Sequence, residues 1–112
     1  MTLDLPKPVA AYFAADAINT TDAGEAVARC FADDAVVKDE GHTYEGRAAI
    51  KQWKDDTAAK YQYTSEPLRC ERQANKIVVT SKLTGNFPGS PVDLRYRFET
   101  AGERITALEI AP

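Results

Sequence analysis

Val92-Asp-Leu-Arg-Tyr-Arg-Phe-Glu99 decides the architecture. Apolar Val92, Leu94, Tyr96 and Phe98 alternate with charged Asp93, Arg95, Arg97 and Glu99, and successive side chains of a strand point to opposite faces. One face of this strand therefore meets a core and the other meets water or polar partners, as in an antiparallel sheet covered on one side. Just upstream, Pro88-Gly-Ser-Pro91 is a turn, and Lys76 to Phe87 reads as a long strand with Ile77, Val79 and Leu83 on one face. Ala74-Asn75 is the turn before it. Tyr61-Gln-Tyr63 opens a further strand that resumes after Pro67 as Leu68-Arg-Cys-Glu-Arg72. Downstream, Ala101-Gly-Glu103 turns the chain into a last strand, Arg104 to Ile110.

The first half has a different period. Pro6 and Pro8 bracket a helix entry, where a missing N–H costs nothing, and Val9, Tyr12, Phe13 and Asp16 follow at helical spacing. Asn19-Thr-Thr-Asp22 is a break whose side chains cap the next helix, expected from Ala23 to Ala32 with Ala26, Val27, Cys30 and Phe31 as its apolar stripe. Asp33-Asp34 is expected to stop that helix. Ala35 to Asp39, short and β-branched, reads as a strand. Glu40 to Glu45 reads as an irregular connection holding the only histidine, and a third helix is expected from Arg47 to Lys60 with Ile50, Trp53 and Thr57 on one face. Helices first and an antiparallel meander after them make an α+β domain, with the helices on one face of the sheet.

Bulk properties narrow the function. No Pro/Gly/Ser-rich linker divides the 112 residues, so residues 1–112 form one domain. A composition 44% hydrophobic and 28% charged excludes global disorder. A formal net charge of -3 with scattered Lys and Arg disfavours nucleic acid. The opening residues lack a basic segment followed by an apolar run, and no stretch approaches the roughly 20 residues that span a bilayer, so a cytoplasmic, membrane-free protein is expected. Cys30 and Cys70 then read as reduced, packed thiols, although sequence leaves a bridge open. One histidine and no CxxC spacing predict no metal site.

Tyr12-Phe13, the segment Cys30-Phe-Ala-Asp-Asp-Ala-Val-Val37, then Tyr44-Glu-Gly-Arg-Ala-Ala-Ile50 and Trp53 resemble the front half of the nuclear transport factor 2-like superfamily, and more narrowly its SnoaL-like branch. Gly85-Asn-Phe87 and Leu94-Arg-Tyr-Arg-Phe98 match the back half. The resemblance implies a cone-shaped half-barrel, three helices held by a strongly curved, mainly antiparallel sheet, with a cavity at the wide end. It also implies frequent dimerisation through the sheet, which suits an outer face carrying Arg95 and Arg97. The superfamily includes ketosteroid isomerases, polyketide cyclases, epoxide hydrolases, dehydratases and members without known catalysis, so fold does not fix chemistry.

By the same resemblance, Tyr12 falls where the isomerases place an oxyanion-binding tyrosine and Asp39 where they place a proton-shuttling aspartate. A phenol in an apolar cavity can donate to an oxygen gaining negative charge, and a desolvated carboxylate is a better base. Asp39 shares the parity of Val37, so both face the core unless a bulge intervenes. The isomerases' second donor, a protonated aspartate, has no counterpart: Leu94 falls at its position, and Asp93 has the opposite parity. His42, the one side chain whose ordinary pKa lies near neutrality, is placed to overhang the cavity mouth. Phe13, Phe31, Val37, Trp53, Tyr61, Tyr63, Leu94 and Tyr96 complete the expected ligand pocket.

Each candidate has a structural rival. Tyr12 reads equally as a core tyrosine, Asp39 as a strand-end carboxylate tied to the Gly41 loop, and His42 as a solvated loop residue. Arg47 reads as one half of a surface ion pair, worth little. The functional expectation is a cofactor-independent acid–base enzyme of isomerase, cyclase or hydrolase type, acting on a small apolar molecule. A non-catalytic binding module and a structural dimer with a filled core are the alternatives.

Overall fold

A computed structural model describes residues 5–17 and 23–112. The Asn19–Asp22 break lies outside the described residues. Helix α1 (Lys7–Asp16) carries its proline in the first turn, as the sequence predicts, and buries Val9, Tyr12, Ala15 and Asp16. Helix α2 (Ala23–Ala28) is shorter than expected. Cys30 lies in the turn after it, and Phe31 already begins strand β1 (Phe31–Asp39).

Asp33-Asp34 does not stop a helix but forms an exposed irregularity within β1, where the pairing register shifts between Phe31 and Val36. A bulge lets the two carboxylates face water while Phe31, Ala35 and Val37 stay buried. Arg47 pins this bulge: its Nε donates to the Phe31 carbonyl at 2.8 Å and its guanidinium meets Asp33 at 3.1 Å. Its role is therefore larger than that of a surface ion pair.

Residues 40–45 are also more regular than expected. Strand β2 (His42–Glu45) pairs with β1 in a tight hairpin whose register sets Asp39 opposite His42. The two linking residues, Glu40 and Gly41, both have positive φ (52° and 80°), the backbone that a two-residue type I′ turn demands. Helix α3 (Gly46–Lys60) follows and buries Ile50, Trp53 and Lys54.

Strands β3 (Tyr63–Gln73), β4 (Lys76–Gly85), β5 (Val92–Ala101) and β6 (Arg104–Ala111) complete a six-stranded sheet ordered β2-β1-β6-β5-β4-β3. All neighbours are antiparallel except β1 and β6, which run parallel. The alternation of β5 is preserved: Tyr96 and Phe98 are buried and Asp93 and Arg95 are exposed. Pro67 does not break β3, which passes it with a register shift between Pro67 and Arg69.

The architecture is thus α+β, three helices on a curved, open, mainly antiparallel sheet. The core between them holds Val9, Tyr12, Val27, Phe31, Val37, Ile50, Val79, Phe98, Ile105 and Leu108. No disulfide joins Cys30 to Cys70. Among the described residues no helix is long and apolar enough to cross a membrane.

Candidate functional site

A cavity of about 650 Å³ opens between α1, α3 and the inner face of the sheet. Its wall brings together Tyr12, Asp39, His42, Trp53, Tyr61, Tyr63, Leu94 and Tyr96, all singled out in the sequence. The other three candidates lie elsewhere. Phe31 and Val37 are fully enclosed in the core, and Phe13 packs against it, since each side chain finds enough apolar neighbours there to be shut off from the opening.

Asp39 ends β1 on the inward parity. The β1 bulge lies upstream of Val36, so the alternation from Val37 to Asp39 is undisturbed. The carboxylate is half-buried, and the Trp53 indole N–H donates to its Oδ2 at 3.0 Å. Burial raises the pKa of Asp39, and the Trp53 hydrogen bond opposes that rise by favouring the charged form. Trp53 therefore engages a specific group as well as forming the wall. His42, across the hairpin from Asp39, is exposed at the cavity rim.

Tyr12 is held by aromatic edges. Its ring lies 5.3 Å from Phe13, 5.4 Å from Phe98 and 6.1 Å from both Phe31 and Tyr96, between centroids. Burial keeps its phenol well above the ordinary pKa, and the charges of Asp16 and Asp39 add to the effect. Tyr63 and Tyr96 are raised by the same causes in the same order, burial, then Asp16. Three neutral phenols thus share the cavity wall with one half-buried carboxylate.

Leu94 occupies the wall where a second oxyanion donor was sought, and Asp93 points to solvent. The opposite parity of these two neighbours on β5 accounts for both facts.

Sequence reasoning missed a buried polar cluster behind this wall. Lys54 on α3 forms an ion pair with Asp16 Oδ1 of α1, both side chains being 3% exposed or less. The Tyr63 hydroxyl donates to the same Oδ1 at 2.7 Å and accepts from Lys54 Nζ at 2.8 Å. Asp16 Oδ2 is buried with no hydrogen-bond partner among the described residues. The available signal was helical spacing: Asp16 lies four residues after Tyr12, and Lys54 four after Ile50, so each charge sits on an apolar face. Glu40, Tyr44, Asp56, Lys60, Phe87 and Ile110 also line the cavity without having been singled out. Tyr44 is there because residues 42–45 form a strand that turns it toward Trp53, 6.1 Å away between ring centroids.

Among the described residues, no three His, Cys, Asp or Glu side chains group in a way that could hold a metal ion.

Comparison with known proteins agrees with this architecture. A crystal structure of a candidate polyketide cyclase from Sinorhizobium meliloti is 44% identical, with 96% of each chain covered and a TM-score of 0.88. A protein of ketosteroid isomerase-like fold from Catenulispora acidiphila, crystallised with trimethylamine, is 24% identical over 97% of this chain and 87% of that one, at a TM-score of 0.83. A nuclear transport factor 2-like protein of unknown function from Cytophaga hutchinsonii matches at 0.73 with 12% identity, covering 99% and 93% of the two chains. No curated protein matches the sequence. The model of the SnoaL-like domain matches residues 9–108, and with nearly the whole described fold inside that span the chain belongs to the SnoaL-like domain family.

Proposed function

We propose that the protein is a cytoplasmic, cofactor-independent acid–base enzyme acting on a small, largely apolar substrate that carries a carbonyl or closes a ring. Asp39 moves the proton, and Tyr12 donates a hydrogen bond to the oxygen on which charge develops. The observation that carries the proposal is that a half-buried carboxylate and a neutral phenol line one cavity of about 650 Å³. Its size is in the range of small-molecule sites, and it opposes a filled core.

The division of labour follows from the environments. Desolvation makes Asp39 a stronger base, while hydrogen bonds from the Trp53 indole N–H and the Glu40 backbone hold its carboxylate in place. Tyr12 keeps its proton and so remains a donor. His42, at the rim, is placed to exchange the abstracted proton with water. The similarity to a candidate polyketide cyclase supports a reaction of cyclase type, in which removing a proton next to a carbonyl generates the carbon nucleophile. We also propose that the chain pairs with a second copy through the outer sheet face. There Lys38, Lys76 and Arg97 lie beside Glu99 and Glu109, a mixture of charges that can complement itself across a two-fold axis.

Hydrogen–deuterium exchange at the carbon beside the carbonyl of a panel of apolar ketones in D2O tests the chemistry without knowledge of the natural product. The intact chain should accelerate exchange, and Asp39→Asn should lose about 10²–10⁴-fold, the usual contribution of a general base. Exchange at the buffer rate, or equal in Asp39→Asn, removes the proposal.

A further inference from the structure

Tyr12 alone makes a one-donor oxyanion site, because Leu94 supplies nothing. The cavity wall nevertheless carries four more phenols, Tyr44, Tyr61, Tyr63 and Tyr96, and the protons of the two on β3 and β5, Tyr63 and Tyr96, are not equally available. The proton of Tyr63 is committed: Lys54 can only donate, so the Tyr63 oxygen accepts from it and the Tyr63 O–H goes to Asp16. Tyr63 therefore offers a cavity ligand no hydrogen.

Tyr96 is arranged the other way. It lies on β5 on the inner parity, 3% exposed, lines the cavity, and has its ring 6.1 Å from that of Tyr12. Its side-chain partner is Ser65 on β3, which in turn is 2.6 Å from the fully buried Ser81 on β4. Ser65 favours the ionised form of Tyr96, but burial outweighs it, so Tyr96 stays a phenol. Among the described residues no carboxylate takes its O–H as Asp16 takes that of Tyr63.

We propose that Tyr96 is the second hydrogen-bond donor of the site, with Ser81 and Ser65 as positioning residues that occupy its oxygen and leave its proton for a substrate oxygen beside Tyr12. This rests on the acid–base reading above and supplies the donor that the site otherwise lacks. It also specifies the substrate further: the reacting oxygen accepts two phenolic hydrogens, as a ketone oxygen gaining negative charge in an enolate does.

The test compares 4-nitrophenolate, an oxyanion probe with a visible absorbance, with the uncharged 4-nitroanisole, both titrated against the full chain. The ratio of their affinities reads oxyanion stabilisation separately from packing. Tyr96→Phe keeps the ring and should lower the ratio about 10–100-fold, as expected for loss of a hydrogen bond to a charged group. Ser65→Ala should lower it less, and Tyr63→Phe should lower it far less than Tyr96→Phe does. An unchanged ratio in Tyr96→Phe, or a loss carried by Tyr63→Phe, overturns the assignment. Asp39→Asn should raise the ratio by removing a negative charge beside the probe. If it does not, the placement of Asp39 in the mechanism fails while the Tyr96 donor stands. Failure of the intact chain to bind either probe overturns both.

Discussion

Replacing Lys54 with methionine should be among the most damaging single changes to this protein. The Lys54 and Asp16 side chains are 3% and 2% exposed, so water neither screens the pair nor can solvate a survivor. Asp16 is already short of partners, with both donors on Oδ1 and none on Oδ2. Removing the ammonium leaves a buried carboxylate held by the Tyr63 hydroxyl alone, and breaking a buried pair in this way costs about 3–5 kcal/mol. At about 4 °C per kcal/mol for a domain of this size, the melting temperature should fall by about 12–20 °C. Replacing both partners, as Asp16→Leu with Lys54→Met, removes the stranded charge and should recover most of that loss. Urea unfolding of the parent, both single variants and the double variant gives the coupling energy directly. A Lys54→Met cost under about 1 kcal/mol, or a double variant equal to the sum of the singles, refutes the reasoning.

Two further outcomes follow from particular side chains. Burial holds the folded-state pKa of Asp39 above its unfolded value, so its contribution to stability is complete below about pH 3.9 and is lost as pH rises through the folded value. Asp39→Asn should thus gain on the parent as pH rises from about 4 to 7, and a stability difference flat across that range in urea titrations would contradict it. Gly85→Ala should cost about 1–3 kcal/mol, because a β-carbon there collides with the Gln62 carbonyl and lies 2.8 Å from Tyr63 Cα, backbone that cannot swing aside. A melting temperature equal to the parent's would show that the β3–β4 edge yields.

The sheet was legible because β5 is buried on one face only, and half-burial writes a period of two into the residues. Tyr12 and Asp39 were legible through family resemblance, and parity placed Asp39 correctly because the bulge in β1 lies upstream of Val36. That same bulge hid the start of β1. An acidic pair after an apolar stripe looks like a helix end, whereas here Asp33-Asp34 bows out of a strand that Arg47 holds from α3. The hairpin at Glu40-Gly41 was hidden because a glutamate takes a left-handed backbone that its type does not advertise. Asp16 and Lys54 are partners 38 residues apart, and no local pattern pairs them. Each looked like a stray charge on an apolar face, and only the packing of α1 on α3 shows that the two strays neutralise each other.

The parallel contact of β1 with β6 has a consequence for how the molecule assembles. Without β6 the sheet is two unconnected pieces, the β1–β2 hairpin and the β3–β4–β5 meander, each able to zip up from neighbouring residues. The strand that welds them is the last of the six along the chain, so the slow, long-range closure comes at the end. Asp39 rides on one piece and Tyr96 on the other. A nascent or clipped chain lacking that final seam has no hollow to fill, and the capacity to engage a ligand is switched on by the same event that completes folding.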